Sequence, residues 1–417
     1  MVNIERRKTE DGRREGPNRT SRLPSSVFRL VVLVLTLGVL VSAQGRGAKP
    51  SFTVDPLWPK PLGHYWLLGS VTGVAVDAQD HIWVVHRGYD SFTPRTEIGA
   101  AANPKTADDC CVPAPSVLEF DPSGTLVGHW GGPGAGYDWP ASPGGIAVDG
   151  KGNVWITAAG PPDIPGASNA TPQRAEGAAG AARGGGAATA GQGRGRGGAN
   201  AAPPKPQDAH VLKFDKTGKF LVQIGKAGTV GTNDSKDALN KPAGIAVDDA
   251  ANEVYVADGF GNKRVVVFDA TTGAYKRQWN GAGPDAPFAS VSCVKLAKDG
   301  TVYVCDRGNN KVEAFDKTGK LLKQMVVSPN TKGTGSVWDI ALSRDPQQQF
   351  LYVADGHDQK VFILRRDTLE IVDSFGDGGR YPGTFLAVGS VAVDSKGNVY
   401  TGENLEGKRV QKFLPKK

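Results

Sequence analysis

Six times along this chain a short apolar-alternating segment turns and returns as a second one. The copies are VTGVAVDAQDHIWVVHRG (71–88), SPGGIAVDGKGNVWITAAG (142–160), KPAGIAVDDAANEVYVADGFG (241–261), SVSCVKLAKDGTVYVCDRGNN (290–310), SVWDIALSRDPQQQFLYVADG (336–356) and VGSVAVDSKGNVYTGENLEG (388–407). Most are followed by a second hairpin, such as SVLEFDPSGTLVGHW or KVEAFDKTGKLLKQM. Alternation bounded by Asp, Gly and Lys is the pattern of half-buried strands, so each unit reads as four short antiparallel strands. Ile245, Val294, Ile340 and Val391 occupy equivalent places, spaced 49, 46 and 51 residues apart. Units of this size bury both sheet faces only against their neighbours, which predicts an all-β, six-bladed β-propeller. The sixth unit ends at KRVQKFLPKK, one strand short, and SFTVDPLWPK (51–60) has the length and apolar content to supply it. That N-terminal strand closes the ring and removes an exposed sheet edge.

Two insertions lengthen the early spacings. One, 92–115, interrupts blade 1. The other, 160–208, interrupts blade 2 and includes GAAGAARGGGAATAGQGRGRGGAN. Apart from alanines the second holds one aliphatic residue, Ile164, so it is expected to be a disordered surface excursion.

The chain begins with eight Arg/Lys against four acids in residues 1–29, followed by LVVLVLTLGVLV (30–41) and the small residues of Val41-Ser42-Ala43. Twelve apolar-rich residues suit a signal-peptide core better than a membrane span. Residues 1–43 are therefore expected to be a signal peptide with a long basic start, and 44–417 an exported propeller, periplasmic or extracellular. Membrane contact is expected only if that segment stays uncleaved. The net charge of +7 falls to +3 once the basic leader is set aside, which argues against a nucleic-acid surface. The propeller is expected to be a monomer.

The turn Lys298-Asp299-Gly300 sets a register that places Cys293 opposite Cys305. Two readings stay open for this pair: a disulfide, or two buried thiols packing as small hydrophobes.

The units resemble NHL repeats. Over roughly residues 65–417 the order of features is similar to the six-bladed peptidyl-α-hydroxyglycine α-amidating lyases, on VTGVAVDAQDHIWVVHRG, VYVADGFGNKRVVVFD and VYVCDRGNNKVEAF. The resemblance implies cleavage of a hydroxyglycine-extended peptide to an amide and glyoxylate, with three zinc-bound histidines, a tyrosine acting on the substrate hydroxyl, and positioning arginines. At the three histidine positions this chain has Gly144, Ser292 and Gly389. The carboxylate that helps hold a central calcium is replaced by Ser390, and the tyrosine by Phe260. Arg87 and Arg307 survive, with His86 beside the first. His64, His81, His129, His210 and His357 complete the histidines, and none replaces a zinc position. No cofactor is therefore expected, neither zinc nor calcium.

The second strands end in His86, Ala158, Asp258, Asp306, Asp355 and Glu403, with Arg87 and Arg307 next in line. Carboxylates and two arginines around one mouth would suit a polar or carboxylated ligand, while an Asp at this place also caps the following turn. The ligand-binding candidates are His86, Arg87, Asp258, Phe260, Asp306, Arg307, Trp338 and Asp355. The reading favoured is a non-catalytic binding scaffold for a small polar ligand or a protein partner. The alternative is an enzyme, lyase-like or hydrolytic, with altered metal ligands and Arg87 and Arg307 as its catalytic candidates.

Overall fold

In the computed structural model, which describes residues 49–93, 96–102, 106–160 and 208–416, the alternating segments form six four-stranded antiparallel sheets. The expected signal peptide and nearly all of the 160–208 insertion lie outside the described residues. Among those described, no helix is long and apolar enough to cross a membrane.

Blade 1 runs outward through Val71–Val76, Ile82–His86, Val117–Phe120 and Leu126–Trp130. Blades 2 to 5 repeat the order from inner strands Pro143–Val148, Gly244–Asp248, Val291–Leu296 and Asp339–Leu342. Blade 6 has Val388–Val393 inside, then Val399–Glu403 and Arg409–Pro415, and its outermost strand is Phe52–Asp55. The N-terminal strand pairs antiparallel with the C-terminal one, Phe52 opposite Pro415 and Asp55 opposite Lys412, as the missing strand requires. This closure places Phe52 against Tyr352, Phe375 and the blade 5–6 core. Apolar clusters fill the spaces between successive blades, so each sheet is buried on both faces.

The insertion of blade 1 adds a two-stranded parallel ladder, Trp66–Leu67 against Val112–Pro113. Its Glu97 receives Lys408 of blade 6 at 2.9 Å, which anchors the insertion across the ring closure. Cys293 and Cys305 are opposed in register and joined as a disulfide, and Cys110 and Cys111 form a vicinal one.

The outer hairpins of blades 1, 2 and 4 share one turn chemistry, legible as Asp-x-Ser/Thr-Gly. In blade 4 Asp316 accepts hydrogen bonds from the N–H groups of Thr318 and Lys320 and from the Thr318 hydroxyl. Gly319 then adopts φ +90°, and a Cβ there would lie 2.8 Å from the ring of Trp279 on blade 3. Gly397 has φ +82° with open space around it. Gly319→Ala is therefore expected to cost about 2 kcal/mol, backbone strain plus displacement of Trp279, and Gly397→Ala about 1 kcal/mol from strain alone. Thermal unfolding of the two variants would separate these contributions, and equal losses would contradict the inter-blade packing of Trp279.

Candidate functional site

Four of the six inner strands bulge where they enter the channel. Register slips between Val71 and Gly73, Pro143 and Ile146, Val291 and Cys293, and Val388 and Ser390 leave Thr72, Gly144, Gly145, Ser292 and Gly389 unpaired. An unpaired bulge residue re-aims its side chain away from the blade. Gly144, Ser292 and Gly389 of this set are the three positions at which the resemblance implies metal-binding histidines.

The residues present do not fit such a metal. A Cβ on Gly144 would lie 2.5 Å from Thr157 Oγ1 and 2.6 Å from Ala159 Cβ, and one on Gly389 3.2 Å from Asn404. Ser292 offers only a hydroxyl, already donated to Val337 O at 3.0 Å. Zinc needs three or four N, S or O ligands at about 2 Å.

Two arginines flank the upper mouth, the face on which the second strands end. Arg307 begins a 3-10 turn after the blade 4 strand and lays its guanidinium 3.7 Å from the centre of the Trp338 ring, with Phe260 at 6.0 Å on blade 3. Trp338 is held in place by its indole N–H donating to Gly335 O. Arg307 Nη2 donates to Thr334 Oγ1 at 2.6 Å, and that hydroxyl reaches His357 Nε2 at 2.9 Å. Its Nε is buried without a partner. Across the mouth, Arg87 is 8% exposed; among the described residues its one side-chain hydrogen bond, Nη1 to Asn404 Oδ1, is 3.3 Å long, and its Nε has no partner. A Cβ on Gly389 would meet both Asn404 and Trp338, so a continuous wall links the two arginines. Burial lowers Arg87 to about 10 and Arg307 to about 9, and both stay cationic at neutral pH.

The other candidates are committed to the scaffold. His86 is fully buried; its Nδ1 accepts the Gly69 N–H and its Nε2 lies 3.0 Å from Pro115 O. Asp258 pairs with Arg264 at 2.8 Å and accepts from Asn240 N and Asn262 Nδ2. Asp306 accepts from Ala289 N, Ser290 N and Asn309 Nδ2, and Asp355 from His357 N, Asp358 N and the Ser328 hydroxyl. These acids brace turns, with Asp355 raised to about 6 by burial.

Below the mouth the channel narrows to a chamber of about 40 Å³ bordered by Thr72, Ser292, Lys295 and Asp339. Lys295 Nζ meets Asp339 at 2.9 Å, and the same lysine borders a lower funnel of about 280 Å³. This ion pair, and the Thr334, His357 and Asn404 partners of the arginines, were missed from sequence. One signal for the pair was available: Lys295 stands in an inner-strand column that is otherwise Ala75, Ala147, Ala246, Ala341 and Ala392.

The NHL repeat family model matches residues 239–268, which span the first three strands of blade 3. The chain is a six-bladed β-propeller that carries an NHL repeat in its third blade. NHL repeat-containing protein 3 of Mus musculus is 29% identical over 219 residues, covering 49% of this chain and 58% of that protein. Peptidylglycine alpha-amidating monooxygenase of Rattus norvegicus is 22% identical over 366 residues, covering 83% of this chain and 30% of that protein. The chain thus spans little more than half the length of the NHL repeat-containing proteins it matches. A solved streptogramin B lyase aligns at TM-score 0.46 and 12% identity, covering 88% of this chain and 98% of that one.

Proposed function

We propose that this chain is an exported, non-catalytic binding propeller whose upper mouth takes a ligand, or a segment of a protein partner, that carries a carboxylate. The observation behind this reading is the state of Arg87 and Arg307. Among the described residues neither has a carboxylate within ion-pair distance, whereas Arg264, Arg277, Arg366 and Arg409 all do. Asp208 and Asp90 favour the Arg87 charge, and Asp355 that of Arg307, without direct contact. Burial still costs each cation, and an anionic ligand on the guanidinium would offset that cost. A planar guanidinium braced on Trp338 is set for bidentate recognition. Export rests on the apolar stretch after Arg29. No zinc is assigned, because the three bulge positions hold no imidazole.

The relatives named for peptidylglycine suggest the probe. A short glycine-terminated peptide is compared with its C-terminal amide by calorimetry on the purified full chain. The free carboxylate is expected to bind about tenfold more tightly, a difference of about 1.4 kcal/mol, and Arg307→Gln to erase that preference. Equal affinity for the two peptides would refute the site. Stoichiometric zinc together with turnover of a hydroxyglycine peptide would replace the binding reading with the enzymatic one.

A further inference from the structure

Arg87 also borders a second space, a cleft of about 570 Å³ between blades 1 and 2 on the mouth face. Its walls are aromatic. Tyr89 stands in the turn after Arg87, and Tyr137 and Trp139 lie on the segment crossing from blade 1 to blade 2. The last two are fixed from behind by blade 2. Tyr137 stacks on Phe220 at 5.1 Å and meets Phe214 edge-on at 5.1 Å, while its hydroxyl donates to Gly132 O at 2.9 Å. Trp139 packs on Phe214 at 6.0 Å. The cleft is therefore preformed, and its volume lies within the range of small-molecule sites, about 300–1,000 Å³.

The electrostatics narrow the occupant. The cation at the cleft is Arg87, nine-tenths buried and without a carboxylate partner. Asp90, Asp138 and Asp208 border the same space. Asp208 is held by the N–H groups of Ala141, Ser142 and Gly160, and Asp138 by Gln223 Nε2 at 3.0 Å. Asp208 and Asp90 already act on the Arg87 charge, so an anionic group is favoured only in direct contact with the guanidinium, and a second one is repelled by the acids.

We propose that the cleft between blades 1 and 2 binds the planar, apolar part of an aromatic monocarboxylate, with the carboxylate on Arg87 and the ring between Tyr137, Trp139 and Tyr89. This deepens the mouth reading and rests on it for Arg87. The class it selects is an aromatic acid, rather than a small inorganic anion or a polyanion.

Calorimetry on the full chain with three probes tests this: 2-naphthoate, acetate and the uncharged 2-naphthol. 2-Naphthoate is expected to bind at least tenfold more tightly than either of the others. Arg87→Gln should weaken 2-naphthoate and acetate together. Trp139→Ala should remove the preference for the ring. Because Trp139 also packs on Phe214, a second variant is needed that fills the space without removing packing. Ala227 lines the cleft on a loop and is half-buried, so Ala227→Trp should block 2-naphthoate while leaving the melting temperature within a few degrees. Acetate binding as tight as 2-naphthoate, or full 2-naphthoate affinity in Ala227→Trp, overturns the proposal. If the carboxylate-peptide preference at Arg307 persists in that case, the mouth reading stands alone. If 2-naphthoate depends on Ala227 and Arg87 but ignores Arg307→Gln, and the peptide preference is absent, the cleft stands and the mouth reading fails.

Discussion

Arg264→Ala should lose about 3–5 kcal/mol of unfolding free energy, the scale expected when one partner of a buried ion pair is removed. Arg264 and Asp258 are both fully buried, and Nε reaches Oδ2 at 2.8 Å. The remaining donors go to one loop, the connection from blade 2 to blade 3, and to Gln278 on the outer strand of blade 3. Nη1 donates to Asn233 O at 3.0 Å, to Ser235 O and to Gln278 Oε1 at 2.6 Å, and Nη2 donates to Ala238 O at 2.8 Å. Truncation therefore strands the Asp258 carboxylate and three backbone carbonyls at once. Arg264→Lys keeps the charge but not the fork, and should fall between the wild type and Ala. Lys276, 31% exposed and 3.6 Å from Glu253, is the comparison: its removal should cost less than about 1 kcal/mol. Urea unfolding of the three variants gives the order directly. If Arg264→Ala costs no more than Lys276→Ala, the ion pair does not anchor the blade.

That result would also bear on what the sequence could and could not reveal. The run VYVADGFGNKRVVVFD carries two of the ligand-binding candidates, Asp258 and Phe260, and part of the lyase resemblance. Folded, Asn262 and Arg264 both turn back onto Asp258, and Phe260 alone faces Arg307. The difference lies in which side of the turn each residue presents, and period-2 reasoning stops where the strand stops. The blades themselves were legible because the alternating hairpin recurs six times and the outer hairpins of blades 1 to 4 carry an Asp and a Gly at the turn. Ring closure was legible from one missing strand. The Cys293–Cys305 register followed from counting residues back from the three-residue turn.

Contacts between blades were harder to see. Thr334 and His357, the partners of Arg307, sit 27 and 50 residues beyond it, in loops of no regular pattern. Their meeting depends on the angle between successive blades, which no local spacing encodes. Tyr137 and Trp139 lie on the connection from blade 1 to blade 2, where alternation assigns no face. Lys295 and Asp339 are the exception, since each breaks a column of small residues. Gly73, Gly145, Gly244, Cys293 and Ser390 share the column of Asp339. Small residues there let six strands converge on one axis, so two long polar side chains on neighbouring blades had to meet inside it. A column-by-column reading of the repeats would have found that pair without coordinates.

As the pH rises from about 4.5 to about 7, Glu313 should withdraw about 3 kcal/mol of stability. This carboxyl lies on the third strand of blade 4, Lys311–Phe315, opposite Val304 and Gln324. It is 2% exposed; its Oε2 has no partner, and Lys311 is 3.8 Å from its other oxygen. Burial, then the charge of Asp306, raises it from 4.5 to about 7. Between those two values the folded chain holds a proton that the unfolded chain has released, so unfolding is favoured by each step up in pH. A gap of about 2.5 units at 1.36 kcal/mol each gives the figure. Asp306, also raised by burial, and Asp355 act in the same direction, while His86 and His210, lowered by burial, act in the opposite one, so the Glu313 contribution is read from the variant comparison. Glu313→Gln mimics the protonated acid at every pH. It should match the wild type near pH 4, where both side chains are neutral, and exceed it by about 3 kcal/mol at pH 8. A stability difference between the two proteins that stays constant from pH 4 to pH 8 would show that Glu313 titrates as an ordinary surface carboxylate, which its enclosure between blades 3 and 4 does not allow.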